Sequence, residues 1–355
     1  MQQAPPETGG SMPPEFPTLR FSAAHWQDGF CGKLKVSLGS ILSSRQFKNY
    51  SLASGGKYMA RYRKNLLVIV GFLAPAFLLY FIFEAIPVIS SFWFAFNEWE
   101  GIANVPLKFV GINNFKYLFH SEQFLTALKN VLVYVVISVL TQVPIGYFLA
   151  FILNNVSKGM RFFKTAFFIP NILPMTSVGL LWYFILMPNH RGLLNKLLTV
   201  VGLKGLTHQW LVDTSTAFGW IIAVTTWCSI GLYMIIGMAA LAGVPEEVVE
   251  SGLLDGATGW KKVLYILVPM IWESVKISVI MVITGVLKFF DLIYVMTGGG
   301  PNGATHVPAS LLYDEAFKYN HYGAGSAISV VIFMLSISFT VISLRAMRNE
   351  KLDSI

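Results

Sequence analysis

The polar stretch from Val244 to Pro269, VPEEVVESGLLDGATGWKKVLYILVP, lies between two long apolar runs, and its residue types suit contact with a soluble partner. Pro245 sits where a first helical residue would be, and Glu246 and Glu247 complement the partial positive charge of a helix N-terminus. The pattern predicts a helix over about 245–254. At roughly 100° per residue, Glu246, Glu247 and Glu250 fall on one arc and Val248, Val249, Gly252 and Leu253 on the opposite one. Asp255-Gly256 is a turn signal, with Gly256 able to take the positive φ that other residues resist. Thr258 is placed to cap a second helix, which carries Lys261 and Lys262 and leads to Pro269 at a membrane entry. The whole reads as a helix-turn-helix bracket between two spans.

Other chemistry is thin. A Gly-x4-Gly-Lys-Ser/Thr loop that would cradle phosphates is missing, so use of ATP would fall to another subunit. Gly298, Gly300 and Gly303 satisfy G-x-G-x-x-G, but Pro301 interrupts them, and a flexible outer turn is expected instead. No Ser/His/Asp or Cys/His grouping stands out, and no enzyme is expected. Cys31 and Cys228 are the two cysteines, too few and too far apart in setting for a disulfide framework or a metal site. Ionisable groups inside a span cost several kcal/mol unless paired or wet, which singles out Glu84, Lys288 and Asp291. Lys288 and Asp291 are three apart and can pair on a helix. A structural pair and the lining of a path both remain open for them.

Composition identifies the elements that must hold these groups. With 55% hydrophobic and 12% charged residues and a mean hydropathy of +0.61, the chain falls in the membrane class. A bilayer span needs about 20 apolar residues. Runs of that kind predict an all-α polytopic fold with six spans, over about 65–94, 131–153, 166–187, 217–241, 275–296 and 324–344. Residues 1–56 are rich in Pro, Gly and Ser and read as a loosely ordered cytoplasmic extension with a short interfacial helix as an option near 26–42; residues 346–355 form a tail. Lys57, Arg61, Arg63 and Lys64, with Lys158, Arg161 and Lys164, Lys261 and Lys262, and Arg345, Arg348 and Lys351, place both ends in the cytoplasm. The net charge of +8 belongs to a lipid bilayer surface and not to nucleic acid, because the basic residues cluster beside apolar runs.

Glu250-Ser251-Gly252, Asp255-Gly256-Ala257, Ile266 and Pro269 resemble the "EAA" loop of binding-protein-dependent ABC importer permeases. Ser251 and Gly252 stand where that family usually has alanines, and Val268 where it has leucine. Phe109-Val110-Gly111-Ile112-Asn113-Asn114-Phe115 is similar to the entry before the second span in such permeases. The stretch Phe289-Phe290-Asp291-Leu292-Ile293-Tyr294-Val295-Met296-Thr297-Gly298-Gly299-Gly300-Pro301 resembles the carbohydrate importers of the maltose and glycerol-phosphate type. The resemblance covers about residues 65–345. It implies an inner-membrane permease subunit working by alternating access with a second, similar permease, two ATP-binding cassette ATPase subunits holding ATP and Mg, and an extracytoplasmic solute-binding protein. The permease itself would carry no cofactor. The bracket would be its coupling loop, with Glu246, Glu247, Glu250, Ser251, Gly252, Asp255, Gly256, Ala257, Ile266 and Pro269 at the ATPase.

A carbohydrate substrate wants aromatic platforms beside hydrogen-bonding groups in a wet cavity. Span 3 offers Asn171, Trp182 and Tyr183, span 4 offers Trp227 and Tyr233, and span 5 offers Lys288, Phe289, Phe290, Asp291 and Tyr294. Pro170 and Pro174 flank Asn171, the mark of a broken helix at a transport path or of a packing kink. The rival readings are a gradient-driven secondary transporter using Glu84 or Asp291, and a membrane scaffold that needs only the bracket.

Overall fold

A computed structural model describes residues 68–101, 106–156 and 158–347 of the chain. The extension 1–56, the basic cluster Lys57–Lys64, and Arg348 and Lys351 lie outside the described residues. Four helices are long and apolar enough to cross a membrane, Val68–Ala95, Glu122–Asn154, Ala217–Ala242 and Tyr322–Ala346, and two bent pairs bring the number to six if each is one span. The chain divides into two units, Met1–Tyr80 and Phe81–Ile355. In the first, the described residues are helical and apolar.

The second unit begins with a π-helical turn, Phe81–Ala85, that carries Glu84 on an exposed face, and continues as α1, Ile86–Ala95. A two-stranded ribbon follows, β1 (Asn97–Glu98) antiparallel to β2 (Lys108–Phe109), with Asn97 opposite Phe109. Helix α2 spans Asn113–His120, and Asn114 of the FVGINNF stretch donates from Nδ2 to the carbonyls of Ala95 (2.8 Å) and Asn97 (3.0 Å). That residue fastens the entry loop to the end of the first span.

Helix α3, Glu122–Asn154, begins nearer the N-terminus than the apolar run alone suggests, because Ser121 caps it by accepting from the Phe124 amide. Helices α4 (Met160–Ile172) and α5 (Met175–Leu186) take the place of the expected span over 166–187, broken between Pro170 and Pro174, and meet at 96°. Pro170 closes the first and Pro174 precedes the second; a prolyl nitrogen has no proton to donate, so the helical ladder ends here. The loop to the next span holds α6, Leu193–Val200, and then α7 runs over Ala217–Ala242.

After the bracket, described below, α11 spans Trp272–Leu287 and stops at Lys288. The expected span over 275–296 is therefore in two pieces, with α12 (Asp291–Met296) as a separate short helix. Lys276, which interrupts the apolar pattern, is paired with Glu273 one turn earlier. The chain ends in α13 (Pro308–Tyr313), a π-helical turn Asp314–Lys318, and α14 (Tyr322–Ala346).

Helices α3, α7 and α11 form the main core, with Tyr134, Ile221, Met234 and Leu287 fully enclosed. Contact between α3 and α7 is close because Gly146 has no side chain: a Cβ there would lie 2.6 Å from the Tyr233 Cβ. Polar groups in the core find partners across helices. Tyr134 Oη donates to Thr225 Oγ1 (2.7 Å), and Tyr147 Oη lies 3.1 Å from Ser278 Oγ. Each such bond within a bilayer contributes about 0.6 kcal/mol on average and fixes helix register. Cys228 is buried as a free thiol in α7; Cys31 is outside the described residues.

Candidate functional site

The bracket folds from local rules. Helix α8 spans Glu246–Leu254, one residue shorter than expected, because Pro245 takes the extended cap position (φ −60°, ψ 133°) and not the first helical one. Ser251 Oγ donates back to the Glu247 carbonyl at 2.8 Å, so its hydroxyl is used within the helix. Gly256 turns left-handed at φ +80° and sends the Ala257 amide back to the Gly252 carbonyl (2.9 Å). Thr258 stands at the cap of the next helix, α9 (Gly259–Lys262), but its side chain makes no cap bond. A π-turn, Val263–Leu267, and a last turn, α10 (Val268–Met270), complete the second limb, which meets α11 at 74°. Pro269, with no amide proton to give, lies in that last turn, where a widened helix is expected.

The two limbs close on each other at one point. A Cβ at position 252 would overlap the δ-methyl of Ile266, so the absent side chain of Gly252 is the space that Ile266 occupies. Glu246, Glu247 and Glu250 are exposed, as are Val248, Leu253 and Asp255. The expected division into an acidic arc and an opposite apolar arc does not hold. Glu246, Val249, Glu250 and Leu253 together line a cavity of about 820 Å³ that Asn154, Asn155 and Lys262 also bound. These four positions follow the i, i+3, i+4, i+7 stripe of a helix, which places Val249 and Leu253 beside Glu246 rather than across from it. Leu254 stands 90% exposed at the tip.

The residues proposed for a path fall into separate groups. Trp182 on α5 meets Trp227 on α7 edge to face at 5.6 Å, and Trp220, one more double turn along α7, lies 6.4 Å from Trp182 and 5.6 Å from Trp210. The Trp182 indole nitrogen is enclosed without a hydrogen-bond partner among the described residues. Phe290 and Tyr294 form a second group with Tyr313 of α13, at 5.7 and 5.0 Å. Val295 and Leu292 of α12 fill the space left by Gly179 of α5, so the two groups rest on packed elements. Phe289 turns away to meet Tyr134 at 6.0 Å. Tyr233 is buried against Gly146 in the core, apart from both groups, and Tyr183 packs beside Phe184. Asn171 is half-buried in the last turn of α4.

Lys288 and Asp291 make no ion pair among the described residues. The helix ends at Leu287 and restarts at Asp291, so the spacing of three no longer brings them onto one face. Lys288 is exposed and Asp291 begins α12. The Gly298–Pro301 turn is likewise no loose loop. Thr305 Oγ1 donates to the Gly300 carbonyl (2.7 Å), and Asn130 Nδ2 donates to the carbonyls of Ala304 and His306, each at 2.8 Å. Trp210, Trp220, Tyr134 and Tyr313 were not among the expected path residues; Trp220 alone carries a sequence signal, seven residues before Trp227 on one helical stripe.

Fold and site together define a polytopic helical membrane protein with a helix-turn-helix bracket set between two spans. The chain belongs to the family of the binding-protein-dependent transport system inner membrane component, which its residues 142–353 match. It is a multi-pass inner-membrane permease subunit and not an enzyme. A probable ABC transporter permease protein of Bacillus subtilis, YurN, is 35% identical over 291 residues, which cover 81% of this chain and 98% of that one. The trehalose/maltose transport system permease protein MalF of Thermococcus litoralis is 30% identical over 278 residues, 78% of this chain and 92% of that one. A solved bacterial ABC transporter that imports the acidic polysaccharide alginate shares the fold, with a TM-score of 0.72 at 23% identity over 82% of this chain and 98% of the matched chain.

Proposed function

We propose that this permease moves a carbohydrate into the cell by alternating access, driven by ATP hydrolysed on a separate ATPase dimer and fed by an extracytoplasmic binding protein. A second, similar permease completes the membrane assembly, ATP and Mg belong to the ATPase, and both chain ends are cytoplasmic. The closure of the bracket carries this reading. Gly252 seats Ile266, Gly256 makes the left-handed turn, and the acidic helix between two spans is left exposed, a rigid surface suited to receiving motion from a soluble subunit. Glu246, Glu247, Glu250 and Asp255 supply its charge. The trehalose/maltose permease among the relatives supports a carbohydrate as the substrate class. Trp182, Trp227, Phe290 and Tyr294 offer flat faces for sugar C–H surfaces, and the unpartnered Trp182 indole N–H offers a donor for a hydroxyl.

The test is to express the tagged chain with its chromosomal neighbours, purify it in mild detergent and assay ATP hydrolysis with candidate binding proteins and sugars. Co-purification of an ATPase whose turnover rises with one sugar-loaded binding protein is the expected result. A chain that purifies alone, with uptake that collapses under an ionophore and survives ATP depletion, would overturn it in favour of gradient-driven transport.

A further inference from the structure

Beside the bracket runs an apolar groove of about 260 Å³, walled by Val143, Pro144 and Phe148 of α3 and by Trp260, Leu264 and Trp272 of the second limb and α11. No charged side chain lines it. A sugar or a nucleotide finds no charged partner there and almost only apolar side chains; Glu246 and Lys262 line the adjoining larger cavity, which shares Phe151 and Val263 with the groove. The groove continues an exposed apolar strip of α3 that includes Ile137, Leu140, Ile145 and Ile152. In a membrane that strip meets hydrocarbon. Its rim has the marks of the membrane–water boundary. Trp260, 61% exposed, lies flat on Phe148 with ring centroids 5.9 Å apart, and Lys261 follows it at roughly 100° around the helix. Lys158, between α3 and α4, and Arg161 and Lys164, in the first turns of α4, are the next basic residues along the chain after α3.

We propose that this groove binds one anionic phospholipid of the cytoplasmic leaflet, with an acyl chain along Val143–Trp272 and the phosphate against Lys261. The assignment of leaflet rests on the cytoplasmic placement of the bracket proposed above. An acyl chain satisfies a dry groove at bilayer depth, and Lys261 beside Trp260 favours a negative headgroup. The second limb is one wall of the groove, so the lipid is a ligand of the element that faces the soluble subunit, and its occupancy favours the limb in the position seen here.

The assembled complex, purified in mild detergent, is examined by native mass spectrometry for retained phospholipid after exchange into phosphatidylcholine with and without phosphatidylglycerol. One phosphatidylglycerol per chain is expected to stay bound in preference to phosphatidylcholine. Lys261→Gln should lower that retention about fivefold, the effect of one basic residue at an anionic surface. Leu264→Trp, which fills the groove without changing charge, should abolish it. Retention that follows bulk lipid composition, or that neither variant alters, overturns the proposal. So does a cross-link from Leu264→Cys to the second permease, because a protein then covers the groove. The lipid readout needs neither transport nor ATP hydrolysis, so it fails or holds independently of the carbohydrate reading.

Discussion

The bracket and the aromatic walls are built on opposite plans. The bracket is contiguous: its turn, its close approach at Gly252 and Ile266, and its acidic face all come from residues 245–270. The walls draw on Trp182, Trp220, Trp227, Tyr294 and Tyr313, carried by four helices, and on Phe290 just before α12, which packs over Gly179 of α5. A contiguous element can move as one piece and transmit a push. A dispersed one changes shape whenever its helices shift, which suits a site that must bind on one side of the membrane and release on the other.

That contrast predicts different failures. Gly256→Pro should have the largest effect, because proline holds φ near −65° and the turn needs +80°. Uptake should fall at least about a hundredfold while the complex assembles and its ATPase runs without substrate control, since the spans lie outside the strained turn. Normal uptake in this variant would remove the bracket as transmission element. Trp227→Ala comes next. Loss of one aromatic face and its edge-to-face partner is worth about 0.5–1.5 kcal/mol, so half-maximal uptake should need about twofold to thirteenfold more sugar, with ATPase coupling intact. An unchanged concentration dependence would assign the Trp182–Trp227 pair to packing. Gly252→Ala should be smaller still. The δ-methyl of Ile266 can swing aside, and alanine improves the helix by about 1 kcal/mol, so the two effects offset. Uptake within about twofold of the parent is expected, and a loss as deep as that of Gly256→Pro would show that the 252–266 contact itself carries the motion.

Sequence made the bracket legible for the same reason that it can move as a unit: helix caps, turn glycines and small-residue contacts are local. It made the count of six apolar segments legible too, since bilayer thickness sets segment length. The breaks were harder. Pro170 and Pro174 announced a broken helix, but nothing local distinguishes a kink from the 96° corner that tertiary packing makes there. Span 5 read as one segment over 275–296 although Lys276, Lys288 and Asp291 interrupt its hydropathy, while in the fold Lys288, Phe289 and Phe290 leave the helix. Once that helix ends, the expected Lys288–Asp291 pair has no basis. Tyr134 and Tyr313 were invisible as partners: Tyr134 meets Thr225 and Phe289 across separations no window of sequence covers, and Tyr313 meets Tyr294 across the turn between two separate short helices.

The smallest effect belongs to the knot opposite in plan to both regions, the Thr297–His306 turn that Asn130 ties to α3. His306 is buried with its ring against Gly299, Nδ1 3.1 Å from Ser310 Oγ and Nε2 3.7 Å from Asp314. Burial pushes its imidazole below the usual value, Lys318 adds to that, and Asp314 opposes it. The unfolded loop therefore binds a proton at a higher pH than the folded one, so stability rises with pH across that interval. Above the ordinary histidine value the neutral ring costs nothing; as pH falls through it, folding has to exclude a proton that the unfolded loop keeps. The melting temperature of the purified complex should drop between about pH 7.5 and 5.5, and His306→Gln, which cannot titrate, should flatten that slope while lowering the plateau. An identical slope in both proteins would move the acid sensitivity elsewhere, and would leave the knot as a fastening that pH does not reach.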